Sequence, residues 1–179
     1  MAIEVECKVR VHEKDIHALF STISSYMKGR EPLPIDKKDA YYSTHHDTTT
    51  LFRIRRVGDE SILTRKVKEK RSDGIEVNEE IECTLPYQST INPFFESLGY
   101  RVVIEKEKKG WSWIHSPLTI ELVEVAPLGW FVEIEVIVKE DSEKEEAIKR
   151  LKVVREELGI DNLELVYEYY NDMLKKIRK

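Results

Sequence analysis

Charged residues of one sign recur at two-residue spacing, with apolar residues between them, on segment after segment of this chain. Ile3-Glu4-Val5-Glu6-Cys7-Lys8-Val9 carries the pattern near the N-terminus, and Phe131-Val132-Glu133-Ile134-Glu135-Val136 repeats its acidic half. A β-strand sends successive side chains to opposite faces. Glu4, Glu6 and Lys8 therefore share a face, as do Glu133 and Glu135, and the interleaved apolar residues pack the other way. Arg53 and Arg55 form a basic pair of the same kind, as do Lys66 with Lys68 and Lys106 with Lys108, while Glu80 and Glu82 extend the acidic set.

If the first strand and the 131–136 segment meet in one sheet, four carboxylates converge. Such a cluster is costly unless it binds divalent cations, and hard oxygen donors suit Mg²⁺ or Mn²⁺. The basic pairs suit several phosphates, with arginine as a planar fork and lysine as a point charge. A lone Glu-x-Glu-x-Lys is commonly the solvated face of an antiparallel strand. The coincidence of two acidic and three basic pairs is what separates this chain from that case. Exposed sheets set opposite charges across from each other, whereas a closed barrel can segregate the signs around metal and phosphate.

The rest of the composition sets bounds. At 179 residues the chain reads as one domain, 1–179, able to bury roughly two thirds of its unfolded surface. No apolar run approaches the roughly 18 residues of a membrane helix, and a strand begins too early for a signal segment, which predicts a cytoplasmic protein with no membrane partner. A net charge of −5 speaks against general nucleic-acid binding. Cys7 and Cys83 lack metal-ligand spacing and read as packed thiols. Glu and Lys abound beside the single glutamine, Gln88, a balance like that of proteins from hot environments.

Ile16, Leu19, Phe20 and Ile23 have helical spacing within His12 to Met27, after which Pro32 and Pro34 break the chain. Strand-like segments follow at Ala40 to Thr44, Leu51 to Val57, Ser61 to Lys68 and Ile75 to Leu85, with turns at Gly58-Asp59 and Ser72-Asp73-Gly74. Ile91 to Leu98 reads as a short helix. Arg101 to Lys108 and Trp111 to His115 read as a hairpin turning near Gly110, and Leu118 to Val125 with Trp130 to Val138 as a last pair. Amphipathic helices close the chain at Ser142 to Leu158 and Asn162 to Lys176. This is an α+β pattern, with a large antiparallel sheet closed or strongly curved.

These residues resemble the CYTH superfamily, the triphosphate tunnel metalloenzymes that include class IV adenylyl cyclases and thiamine triphosphatases. Glu4-Val5-Glu6-Cys7-Lys8 matches its ExExK signature. Asp39-Ala40-Tyr41-Tyr42, Leu51-Phe52-Arg53-Ile54-Arg55, Leu63-Thr64-Arg65-Lys66 and Leu128-Gly129-Trp130-Phe131-Val132-Glu133-Ile134-Glu135 follow its later segments in order, and Tyr169-Tyr170-Asn171-Asp172-Met173-Leu174 resembles its final helix. The resemblance implies an eight-stranded antiparallel closed barrel forming a tunnel. It implies Glu4, Glu6, Glu133 and Glu135 as metal ligands, Lys8, Arg53, Arg55 and Lys66 as phosphate ligands and catalytic groups, and Lys106 as a further phosphate ligand. Lys68, Lys108, Glu80 and Glu82 join the substrate lining, and a homodimer is compatible with the family.

Three departures stand out. Asn78 occupies a position where the family has arginine, and Lys108 replaces a second arginine. The family's aspartate before the Leu-Gly pair falls on Val123, with Glu121 or the adjacent Glu124 as substitute. The resemblance leans toward an adenylyl cyclase, converting ATP to cyclic AMP and pyrophosphate. A hydrolase of inorganic, thiamine or nucleoside triphosphate is the alternative, and a non-catalytic polyphosphate or nucleotide-binding module the third. His45-His46 reads as a surface loop, Trp111, Trp113 and Trp130 as packing residues, and Lys68 to Arg71 as a solvated hairpin tip.

Overall fold

The computed structural model describes residues 2–44, 49–69, 74–87 and 89–177, and the backbone but not the side chain of Lys68. His45, His46, Lys70, Arg71, Ser72 and Asp73 lie outside the described residues, so the loop, hairpin-tip and turn expectations there are untouched. Eight strands, all antiparallel, close a barrel. They are β1 (Ala2–Val11), β2 (Leu33–Thr44), β3 (Phe52–Val57), β4 (Glu60–Glu69), β5 (Ile75–Pro86), β6 (Tyr100–His115), β7 (Leu118–Ala126) and β8 (Gly129–Val138). Around the barrel the order is β1-β5-β4-β3-β2-β6-β7-β8, and β8 pairs back onto β1. Helix α1 (Ile16–Tyr26) follows β1, α2 (Ile91–Ser97) links β5 to β6, and α3 (Lys144–Glu157) and α4 (Tyr170–Ile177) follow β8. Among the described residues, no helix is long and apolar enough to cross a membrane.

The alternating strands are turned with their charges inward. Their apolar residues face out, where α1 and α3 cover them. Ile3, Val5, Cys7 and Val9 of β1, Leu118, Ile120 and Leu122 of β7, and Val132, Ile134 and Val136 of β8 pack with Leu19 and Ile23 of α1 and with Ile148, Leu151 and Val154 of α3. Val5, Ile23, Ile120, Leu122 and Leu151 have no exposed surface, and each such side chain contributes about 1.5–3 kcal/mol of hydrophobic stabilisation. Phe20 of α1 sits edge-on to Trp111 and Trp113, both at 5.2 Å, and Trp111 stacks on Trp130 at 6.1 Å. The three tryptophans thus secure a helix to the outer wall. Cys7 is buried in this layer, and Cys83 is exposed.

A second apolar cluster closes one end of the bore. Ile35, Ile104, Val123, Val125, Leu128 and Phe131 meet Val166 and the α4 residues Tyr170, Met173 and Leu174.

Three sequence expectations change. Gly110 is no turn: β6 runs unbroken from Tyr100 to His115. A Cβ there would lie 2.1 Å from the Leu122 carbonyl oxygen and 2.9 Å from Val123 Cα, and the residue has φ +151°. Glycine marks a close approach of β6 to β7 rather than a reversal. Gly110→Ala is expected to destabilise the protein by about 3 kcal/mol, because backbone atoms cannot swing aside. An unchanged urea midpoint would remove this reading of Gly110.

Pro34 lies inside β2, which begins at Leu33. Proline is tolerated because Leu33 to Lys37 pairs with β6, while β3 pairs only Lys38 to Tyr42, so the strand is an edge at Pro34. The closing helix is also shorter than the periodicity predicts. Residues 164–166 run instead along β1: the Arg10 N–H donates to the Glu164 carbonyl at 3.1 Å and the Val166 N–H to that of Lys8 at 2.9 Å, flanking a Val9–Leu165 bridge. Pairing with β5 stops at Cys7–Ile75, so this strap satisfies backbone groups that β5 leaves open, a demand stronger than helical propensity.

Candidate active site

Alternate residues of all eight strands line a cavity of about 750 Å³ inside the barrel. The β1–β8 register sets Glu6 directly across from Glu135 and Lys8 across from Glu133, with Glu4 opposite Ile137. On the other side of β1, Glu6 faces Glu76 and Glu4 faces Asn78. The acidic strands meet as the sequence anticipates, but the four carboxylates do not gather at one point. Among the described residues, no three carboxylate, imidazole or thiol groups stand close enough to share one ion as arranged.

The signs interleave rather than segregate, contrary to the sequence expectation. Lys66 pairs with Glu4, lies 2.8 Å from Glu80 and 3.8 Å from Glu6. Lys8 pairs with Glu76. Lys108 lies 2.5 Å from both Glu121 and Glu133, and Lys37 lies 2.8 Å from Glu121. Asp39, with its side chain fully buried, accepts from Arg55 Nε at 2.6 Å and from a terminal Arg55 nitrogen at 2.9 Å, with Lys106 at 3.1 Å. Arg53 donates to Thr64 at 2.7 Å and to Glu82 at 3.4 Å, and the Thr64 hydroxyl donates to Glu82 at 2.7 Å. The reason is desolvation: a buried charge without an opposite neighbour costs several kcal/mol, so a closed bore pairs its ions.

Not every carboxylate is equally satisfied. Burial pushes Glu4 well above its ordinary pKa, and Glu6 adds to this, while Lys66 opposes it. Burial likewise raises Glu135 to about 7, aided by Glu6 and Glu121. Burial pushes Glu6 in the same direction, yet Lys66, Lys8, Lys108 and Lys106 together hold it down at about 2. Against its own burial, Glu121 is held at about 2 by Lys108 and Lys37. Glu4, Glu6 and Glu135 thus form an over-crowded oxygen set in which two members resist ionisation. As arranged these oxygens do not converge on one point, but a hard divalent cation that drew them together would relieve that repulsion, and all-oxygen donors are the chemistry that suits Mg²⁺ or Mn²⁺.

Glu4, Glu6, Lys8, Arg53, Arg55, Lys66, Glu80, Glu82, Lys106, Lys108, Glu121, Glu133 and Glu135 all line the cavity. Glu124 does not. It is exposed on the outer face of β7, because alternation that turns Glu121 inward turns Glu124 out, and its candidacy as a ligand is withdrawn. Val123 faces the apolar plug beside Phe131, so the charge missing at that position is matched by a dry environment. The side chain of Lys68 is outside the described part of the structure; its backbone pairs opposite Asn78.

Other residues escaped the sequence reading. Glu76 shares the inward row of Asn78, Glu80 and Glu82, and period two alone could have found it. Lys37 lies ahead of the strand-like segment that the sequence reading begins at Ala40, because Pro34 reads there as a chain break, while β2 in fact begins at Leu33; Asp39 enters that reading only as the start of a family segment, with no role in the site. Tyr170 had no polar partner in sequence. In the fold its hydroxyl donates to Glu133 at 2.6 Å, and its ring lies 5.3 Å from both Lys8 and Lys106. Tyr41 contributes a second ring, 5.5 Å from Lys106. Cations over ring faces are stabilised without a further carboxylate.

The chain matches the CYTH domain over residues 2–170. It belongs to the CYTH family. Among solved structures, this CYTH protein is similar to the PH1819 protein of Pyrococcus horikoshii, with 28% identity, a TM-score of 0.76 and coverage of 98% of this chain and 99% of the other. It is similar to PH1012 of the same organism at 25% identity and a TM-score of 0.76, covering 96% and 99%. The fold also matches a candidate adenylyl cyclase of Hippeastrum, described by its dominant triphosphatase activity, at 17% identity and a TM-score of 0.69, covering 98% and 96%. No curated protein matches the chain.

Proposed function

We propose that this CYTH protein is a Mg²⁺- or Mn²⁺-dependent enzyme that acts on a triphosphate held in its barrel, with ATP cyclisation as the leading reaction. The observation that carries this reading is the meeting of Lys8, Arg53, Arg55, Lys66, Lys106 and Lys108, drawn from β1, β3, β4 and β6, on one cavity. Several cations around one enclosed volume exceed what a single phosphate needs, and a bore of this size admits a nucleotide-sized ligand.

A triphosphate entering the bore competes with the resident carboxylates for these cations. Arg53 and Arg55 offer planar forks; the lysines offer point charges that neutralise a leaving pyrophosphate. Glu4, Glu6, Glu133 and Glu135, with Glu121, would hold the metal, which when bound supplies charge neutralisation at the phosphate oxygens. In cyclisation the ribose 3′-hydroxyl attacks the α-phosphorus, the bond to the bridging oxygen breaks, and pyrophosphate and a proton are released. Hydrolysis is the second reading, since the same lining serves it and the rim residues Leu33, Ile114 and Ile137 carry no polar group to select one base. A non-catalytic binding module is the third, motivated by Asn78 in place of a cation.

Incubation with ATP, inorganic triphosphate and thiamine triphosphate under Mg²⁺ or Mn²⁺ separates these readings. Cyclic AMP with pyrophosphate supports the cyclase and orthophosphate the hydrolase. Tight binding without product supports the module. Arg53→Ala is expected to weaken triphosphate binding roughly ten- to hundred-fold, the loss of a charge-assisted hydrogen bond. Unchanged affinity would place Arg53 outside the phosphate path.

A further inference from the structure

A second cavity, of about 720 Å³, lies outside the bore, where the end of α1, the β6–β7 turn and α3 meet. Lys28 and Arg30, which follow α1, line it together with Arg150 of α3. His115, the last residue of β6, adds an imidazole, which carries an N–H donor in either neutral tautomer. Met27 and Leu118 line it too and are 3% and 7% exposed, so the cations stand beside a dry apolar wall. Charges next to such a surface act on a ligand more strongly than charges in open water.

These cations have few partners within the chain. Arg150 donates to the Tyr26 hydroxyl at 3.2 Å, and that hydroxyl donates to Glu157 at 2.8 Å. The first bond fixes the guanidinium and leaves its remaining N–H groups for a ligand. Glu146, one turn before Arg150, lies 4.0 Å from Lys149, and among the described residues Lys28, Arg30 and Arg150 form no ion pair. Set against the Glu157 carboxylate and the roughly half negative charge of the α1 C-terminus, the three cations leave a surplus of roughly 1.5 positive charges. The whole chain, by contrast, carries −5. Lys28 is also, among the described residues, the one non-glycine residue with positive φ, at +36°. Glycine or asparagine suits that backbone better, so what lysine brings there is its ammonium group.

We infer that this cavity is a second anion site, which takes a small phosphate compound: free phosphate, pyrophosphate or a phosphate monoester. Two arginine forks, one ammonium group and an imidazole around a single cavity match the several oxygens of a phosphate better than the two of a carboxylate. The site does not rest on the tunnel reading, although it adjoins one end of the barrel. His115 follows Ile114 and Leu118 precedes Thr119, and both of those neighbours line the bore.

NMR titration tests this, with the amide resonances of Gly29 and His115 followed as phosphate, pyrophosphate or AMP is added at an ionic strength held constant with chloride. In the wild type both amides are expected to shift saturably with at least one ligand, with a Kd of about 1 mM or tighter. The tightest of the three tells free from esterified phosphate. The Arg30→Ser/Arg150→Ser variant should weaken that binding at least about ten-fold, with a thermal melt to check its fold. Lys28→Gly should weaken it about ten-fold while leaving the melting temperature unchanged or higher, since glycine fits the left-handed backbone. A loss of affinity without a loss of stability separates the ligand from the fold. In Arg53→Ala, altered only in the bore, both amides should respond as in the wild type. Shifts still unsaturated at about 10 mM, an affinity unmoved by the charge variants, or a response lost in Arg53→Ala overturns the inference and leaves the tunnel reading standing.

Discussion

Replacing Asp39 by asparagine is expected to destabilise the protein by about 3–5 kcal/mol at neutral pH, the scale of breaking a buried ion pair from one side. The carboxylate is fully buried and is shared by Arg55 and Lys106. Asparagine keeps the shape but leaves both cations facing an uncharged amide in a desolvated wall. Against its own burial, Lys106 and Arg55 hold the Asp39 carboxyl well below the ordinary carboxylate range. A depressed folded-state pKa means that the contribution is complete above the unfolded value of about 4 and is lost as pH falls below it. The gap between wild type and variant should therefore be full at pH 7 and narrow progressively below about pH 4. Urea midpoints across that range measure it. Equal midpoints at neutral pH would show that Arg55 and Lys106 do not depend on Asp39.

The second large effect concerns Glu6 and Glu135, which face each other across β1 and β8. Each glutamine variant should lower metal-dependent turnover at least a hundred-fold, as loss of a charged group in direct contact with a reacting complex does. Their effects on the metal-free fold should have opposite signs. Glu6 is held at about 2 by Lys66, Lys8, Lys108 and Lys106 against its burial, so its ionised form stabilises the fold above about pH 4 and Glu6→Gln should lower the melting temperature at pH 8. Glu135 is raised to about 7 by burial, Glu6 and Glu121. Its contribution is complete below the unfolded value of about 4 and is lost as pH rises toward 7, so Glu135→Gln should raise the metal-free melting temperature at pH 8. Because the two groups interact, the double variant should deviate from the sum of the singles. Melting curves with and without Mg²⁺ check both signs, and full turnover in both variants would end the assignment of these carboxylates to the metal.

The legible part of this site was the part governed by period two. Glu4, Glu6 and Lys8, Glu133 and Glu135, and Arg53 and Arg55 could be put on common faces from the chain alone, because the pleat alternates without exception along a regular strand. Errors arose where regularity was judged from residue type. Gly110 and Pro34 are ordinary strand breakers, yet one marks a close approach to the Leu122 carbonyl and the other lies where β2 has a single neighbour. The segment before α4 has helical spacing, but β1 needed its backbone as a partner.

Sequence alone determined which side chains travel together, and so the existence of charged and apolar faces on the same strands. It did not determine which face is inside. Closure of β8 onto β1, with α1 and α3 laid on the apolar side, turned the charges into the bore. Nor could it say which cation meets which carboxylate. Lys66 meets Glu4 from 62 residues away, and Lys8 meets Glu76, because β1 lies between β5 and β8. Those pairings depend on strand order and register between segments remote in the chain, and buried charge is stabilised only by the neighbours that closure brings to it.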